Sequence, residues 1–86
     1  MPEICRFYGI IIRIHVNDHP PPHFHAEYAE YEALINIETL AVIAGDLPSR
    51  ALGLTIEWAS LHQNDLRNLW RRARNHESLS KLAPLQ

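Results

Sequence analysis

Apolar and polar residues alternate between positions 10 and 16. Ile10, Ile12, Ile14 and Val16 point one way while Ile11, Arg13 and His15 point the other, the period of two that a half-buried strand requires. Two further stretches, 23–28 and 31–37, read as strands separated by Ala29 and Glu30. Joined as a two-residue hairpin, they set Tyr28 opposite Tyr31, Glu27 opposite Glu32, His25 opposite Leu34 and His23 opposite Asn36. One face then carries Phe24, Ala26, Tyr28, Tyr31, Ala33 and Ile35. The other carries His23, His25, Glu27, Glu32, Leu34 and Asn36. Ala29-Glu30 is a poor pair for a tight turn, which favours Gly or Asn, so a longer loop and a one-residue slip stay open. A fourth, short strand is expected over 40–44, ended by Gly45-Asp46.

After Pro48, which suits a first helical turn with Asp46 or Ser49 as cap, the period changes to 3.6 and holds to about residue 75. Ala51, Leu54, Trp58, Leu61, His62, Leu66, Leu69 and Ala73 share one side, with Glu57, Asn64, Arg67, Arg71 and Arg74 opposite. One continuous helix fits this pattern. Leu52, Ile56, Ala59 and Trp70 widen the apolar arc beyond the needs of one sheet face, so a second surface is expected to cover it. A homo-oligomer or another protein would supply that cover, with Ile56 and Trp70 among the contacts. The tail, 78–86, is expected to pack as an extended arm. The whole predicts an α+β fold: a small antiparallel sheet of three to four strands over about residues 4–44, packed on one long C-terminal helix over about 48–75, as a single domain over 1–86.

Composition narrows the classes. With 86 residues and 47% hydrophobic content, one small core is available and stability is expected to be modest. No stretch has the length of a membrane span, and the residues from Met1 to Arg6 lack the layout of a signal peptide, so a cytoplasmic protein without a membrane partner is expected. The single Cys5 excludes an internal disulfide and a thiolate zinc cage, and reads as a structural thiol. Charge is uneven. Residues 1–46 hold two Arg against seven acidic groups, giving −5, while residues 47–86 hold six basic against three acidic groups, giving +3. Attraction between the halves of one domain is the first reading, and a phosphate or acidic-partner contact by Arg67, Arg71 and Arg74 the second.

His15, His19, His23 and His25 fall within eleven residues, and Pro20, Pro21 and Pro22 stiffen the approach to His23-Phe24-His25 into an extended connection from Asn17. Two residues apart on a strand, His23 and His25 leave the same face with Cα atoms about 6.5–7 Å apart, a spacing from which both can bind one divalent ion such as zinc. Glu27, His15 or His19 can supply a third ligand. Without a metal, the same imidazoles suit general acid–base work on an RNA 2′-hydroxyl, with Arg13 holding a phosphate. His62, one turn before Asp65, reads as a satisfied buried pair, on the opposite side of the sheet from His23 and His25. There is no serine or cysteine triad and no phosphate-cradling glycine loop, in a chain with only three glycines.

Asn17-Asp18-His19 through Pro21-Pro22-His23-Phe24-His25, then Leu47-Pro48, Arg50-Ala51-Leu52, Glu57-Trp58-Ala59, Leu61-His62 and a closing Pro84-Leu85, together resemble the small bacterial family known as domain of unknown function 4160. The sequence departs from that pattern at Ala29 and His76, where Gly is common. The resemblance implies a domain-length protein encoded beside another small family, an arrangement similar to toxin–antitoxin pairs. It therefore implies a protein partner encoded nearby and a toxin-like effector role directed at RNA. A divalent-metal hydrolase or nuclease with a His-x-His site, and a non-enzymatic regulatory homodimer, are the other two expectations.

Overall fold

The computed structural model describes residues 3–16 and 18–86; Met1, Pro2 and Asn17, the expected start of the proline connection, lie outside the described residues. Five strands form one sheet in sequential order: β1 (Glu3–Phe7), β2 (Ile10–Arg13), β3 (His23–Tyr28), β4 (Tyr31–Asn36) and β5 (Val42–Asp46), each antiparallel to its neighbours. Two helices follow, α1 (Ser49–Leu61) and α2 (Gln63–Arg74). The α+β class stands, but the expected three to four strands are five. The additional strand is β1. A register shift between Glu3 and Cys5 leaves Ile4 and Cys5 both buried, which breaks the period of two that would announce a strand.

The β3–β4 hairpin keeps the two-residue register, with Tyr28 opposite Tyr31 and His23 opposite Asn36. Phe24, Ala26, Ala33 and Ile35 are accordingly all buried on the helix side. β2 stops at Arg13 rather than continuing to Val16, which is exposed. β5 begins two residues later than expected because the Asn36 side chain accepts hydrogen bonds from the Glu38 and Thr39 N–H groups, while the Leu40 N–H returns to the Asn36 carbonyl. That turn uses residues 36–40.

The expected single helix is two. His62 leaves helical geometry (φ −120°, ψ 22°), its N–H turns back to the Ala59 carbonyl, and its own carbonyl accepts from Leu66 to start α2. A straight rod diverges from a twisted sheet, whereas a break lets each segment keep its own apolar side buried. In α1 these are Ala51, Thr55, Trp58 and Ala59; in α2 they are Leu66, Leu69, Trp70 and Ala73. Trp58 is central, tilted against Phe7 at 5.5 Å and edge-on to Phe24 at 6.0 Å between ring centroids. Part of the wide apolar arc is covered within the chain: Leu52 and Ile56 are partly buried against the core, as are Leu79, Leu82 and Leu85 from the tail, while Leu61 is exposed. Two hydrogen bonds fix that tail, from the Leu82 N–H to the Ile4 carbonyl (2.8 Å) and from the Trp58 indole N–H to the Ala83 carbonyl (2.9 Å). No helix among the described residues is long and apolar enough to cross a membrane.

Ala29 (φ 52°) and His76 (φ 57°) occupy the left-handed region, and these are the two positions where the sequence departs from the Gly of the pattern it resembles. His76 sits just past α2, donating to Ala73 while the Glu77 N–H reaches Arg72, the double closure that normally uses Gly. Replacing either residue by Gly removes roughly 1–2 kcal/mol of backbone strain against a smaller entropy loss. Ala29→Gly and His76→Gly are each expected to raise stability by about 0.5–1 kcal/mol in urea titration. Gly45→Ala should lower it by more than about 2 kcal/mol, since Gly45 has φ 76° and an added Cβ would collide with the Glu32 carbonyl. Cys5 is buried, and burial pushes its thiol up despite hydrogen bonds from Arg6 and Trp58 that act the other way. Iodoacetamide at mildly alkaline pH is expected to leave Cys5 unmodified in the folded protein and to alkylate it in urea, read by mass spectrometry.

Candidate metal centre

Alternation along β3 sends the His23 and His25 rings away from Phe24 and Ala26, with ring centroids 5.2 Å apart. The proline run before them bends at Pro20 and Pro21, where the bond is cis, instead of running extended as expected. His23 Nδ1 lies 2.8 Å from the Pro21 carbonyl. A carbonyl only accepts, so the hydrogen of that contact belongs to the ring, and in neutral imidazole Nε2 then carries the lone pair. That Nε2 faces Asp18 Oδ2 at 3.0 Å on a side chain only 6% exposed, close but without the alignment of a hydrogen bond. His25 Nε2 approaches the same oxygen at 3.0 Å, while its Nδ1 stands 3.2 Å from Glu32 Oε2, another group that only accepts.

Asp18, His23 and His25 thus bring one oxygen and two nitrogens within 4.8 Å of one another. Bonds of about 2.0–2.2 Å to a shared ion would set neighbouring ligand atoms roughly 3.0–3.5 Å apart, close to what is found. The outer contacts match as well. Metal-binding histidines normally donate their second ring N–H to a carbonyl or carboxylate, the relation His23 has to Pro21 and His25 to Glu32.

Burial pushes the Asp18 carboxyl up, but the hydrogen bonds from His25 and the His19 N–H and the charges of His23 and His25 together hold it below the usual carboxylate range. It is therefore an anion at neutral pH. His15 lies beside the cluster, its ring 3.9 Å from that of His25, with a buried Nε2 that has no hydrogen-bond partner among the described residues. Burial, then the neighbouring His25 charge, lowers its pKa, although Asp18 and Glu32 oppose this.

Of the expected ligands, His23 and His25 converge, and His15 lies tilted against His25. His19 contributes only its backbone N–H, donated to Asp18 Oδ1 at 2.9 Å. Glu27 is engaged by Arg13 at 3.0 Å and is not among the three groups that converge, while Arg13 pairs in register with His25 on the neighbouring strand. The third converging group is Asp18, five residues before His23, which the sequence pattern alone does not single out as a ligand. His62 packs on Trp58 at 5.1 Å and lies 3.4 Å from Asp65, apart from the cluster. Arg67 pairs with Glu38 across the two halves of the chain and Arg71 holds Asn68. Trp70 is buried with its ring 5.3 Å from His23, and Ile56 is half-buried in the core. A cavity near the start of α1, lined by Tyr8, Tyr28, Pro48 and Arg50, contains none of these histidines.

Fold and site together define a small α+β domain that carries an imidazole–carboxylate cluster on one face of its sheet. Residues 9–71 match the family described as Domain of unknown function (DUF4160), and the chain belongs to that family. The match contains Asp18, the four clustered histidines and Trp70. No curated protein and no solved structure matches the chain significantly.

His23 is packed as well as polar, so His23→Ala is expected to cost about 2–3 kcal/mol in urea titration, from the space left beside Trp70 and the stranded Pro21 carbonyl. Exposed His19→Ala should stay within about 0.5 kcal/mol of the parent.

Proposed function

We propose that Asp18, His23 and His25 hold one divalent cation of the zinc type and that the domain is a cation-dependent hydrolase. The observation that carries this reading is the shared aim of His23 Nε2, His25 Nε2 and Asp18 Oδ2, with each imidazole's other nitrogen facing an acceptor. A proton on His25 satisfies its own contact with Asp18, but His23 Nε2 is left without a hydrogen-bond partner among the described residues, and an ion between the three atoms would compensate all of them. Imidazole and carboxylate donors together favour zinc or a similar first-row ion over calcium.

Three protein ligands leave a coordination position for water, and a cation held there supplies a water acidic enough to ionise near neutral pH. The chain's own groups do the rest. Pro21 and Glu32 fix the ring orientations. His15, held neutral by burial, is the imidazole beside the ligands able to accept a proton. A toxin-like effector role next to a protein partner is the setting that the family resemblance suggests for this chemistry.

Protein purified without an affinity tag and stripped with a chelator is expected to bind close to one equivalent of zinc or manganese by calorimetry. Asp18→Asn and His25→Ala should abolish binding, and Glu32→Gln should weaken it about 10- to 100-fold. Affinity should fall on acidification, because protons compete with the ion for the ring nitrogens. If the parent protein binds no zinc, manganese, nickel or iron, the proposal fails. Binding without hydrolysis of any ester would leave a structural ion and remove the enzyme.

A further inference from the structure

The proposed histidine ligands belong to a run of tilted ring contacts. The His15 ring lies 3.9 Å from His25, His25 lies 5.2 Å from His23, His23 lies 5.3 Å from Trp70, and the Arg74 guanidinium sits 5.9 Å from the Trp70 ring. Trp70 is buried and so acts as a fixed spacer, whereas Arg74 is exposed. The charge around this run is uneven. Arg6, Arg13 and Arg67 are each paired with a carboxylate, but Arg71 holds only the neutral Asn68, and Arg72 and Arg74 have no carboxylate partner among the described residues. Uncompensated positive charge therefore collects in the last turn of α2, directly after Trp70, whose ring faces His23.

Resting on the cation reading above, we propose that Arg74 is the anion-holding residue of the same site and that the substrate is a phosphodiester of a single nucleic-acid strand. Such a strand carries a negative charge at every linkage, so one phosphate can meet the ion while another meets the planar guanidinium fork, which suits phosphate geometry. A neutral ester or a peptide bond would give Arg74 nothing to hold. In the reaction, the oxygen of water forms a bond to phosphorus, the bond from phosphorus to the leaving oxygen breaks, and the proton lost by water ends on that leaving oxygen. The competing explanation is that Arg71, Arg72 and Arg74 merely balance the negative end of the α2 dipole.

The test uses zinc-loaded full-length protein and a fluorescein-labelled single-stranded oligoribonucleotide, with affinity measured by anisotropy over a series of salt concentrations. Arg74→Ala is expected to weaken binding about tenfold and to reduce the slope of log affinity against log salt by roughly 0.7, the loss of one phosphate contact to a single strand. Arg74→Lys should keep the slope and recover part of the affinity. Zinc affinity by calorimetry should be the same in all three proteins. An Arg74→Ala protein that melts lower but binds the oligonucleotide with unchanged affinity and slope overturns the proposal in favour of the dipole explanation. Faster hydrolysis of p-nitrophenyl acetate than of the oligonucleotide and of bis(p-nitrophenyl) phosphate by the parent overturns it too. Turnover of bis(p-nitrophenyl) phosphate alone keeps the linkage but removes the strand. Loss of zinc binding in the parent would instead sink the cation reading, so the two failures are separable.

Discussion

His23 is held to two demands at once. Its Nδ1 hydrogen is committed to the Pro21 carbonyl, and its Nε2, nearly shut off from solvent, is turned toward a carboxylate oxygen that His25 also approaches. In water each atom would be hydrated separately; here they are largely shielded, with the Pro21 carbonyl, the His19 N–H and the Glu32 carboxylate as their other partners. Polar atoms removed from solvent must be compensated locally; His25 compensates Asp18 through a hydrogen bond, while His23 Nε2 has no hydrogen-bond partner among the described residues. The β-hairpin, the bend at Pro20 and Pro21, and the packing of α2 on His23 all serve to keep that arrangement in place.

The surroundings divide into rigid and adjustable parts. β3 lies in the middle of the five-stranded sheet, paired with β4 along its whole length and with β2 from His25 to Tyr28, which fixes the position of the two histidines along the strand. Asp18 comes from a loop and is held by its hydrogen bonds to His25 and to the His19 N–H. Glu32 lies half-exposed on β4, close enough to orient His25 and accessible enough to exchange with water. The cluster joins a pair of imidazoles fixed on a strand to a carboxylate carried by a loop.

Most of the sheet could be read from the chain. The β3–β4 register followed from the alternation of Phe24, Ala26, Ala33 and Ile35, since a one-residue slip would have turned those side chains to water. β1 escaped because a register shift beside Cys5 erased its period. The helix break at His62 escaped for a different reason: helical periodicity counts residues along an axis and does not register a bend when apolar positions continue in phase. The same periodicity made Leu52, Ile56, Ala59 and Trp70 look like surplus apolar surface, whereas Ala59 and Trp70 are buried within the chain and Leu52 and Ile56 partly so.

The sequence by itself determined that two imidazoles would share a face, because a strand has a period of two and His23 and His25 are two apart. It also determined the α+β class and the buried side of the hairpin, which are consequences of short-range patterning. Only the tertiary structure decided that Asp18, rather than Glu27 or His19, would complete the cluster, because that depends on where the chain returns after Pro20 and Pro21. It likewise decided that Arg13 would be spent on Glu27, and that Trp70 and Arg74 would line up behind His23. Contacts between residues far apart in sequence depend on how loops and helices turn, and no local period records that.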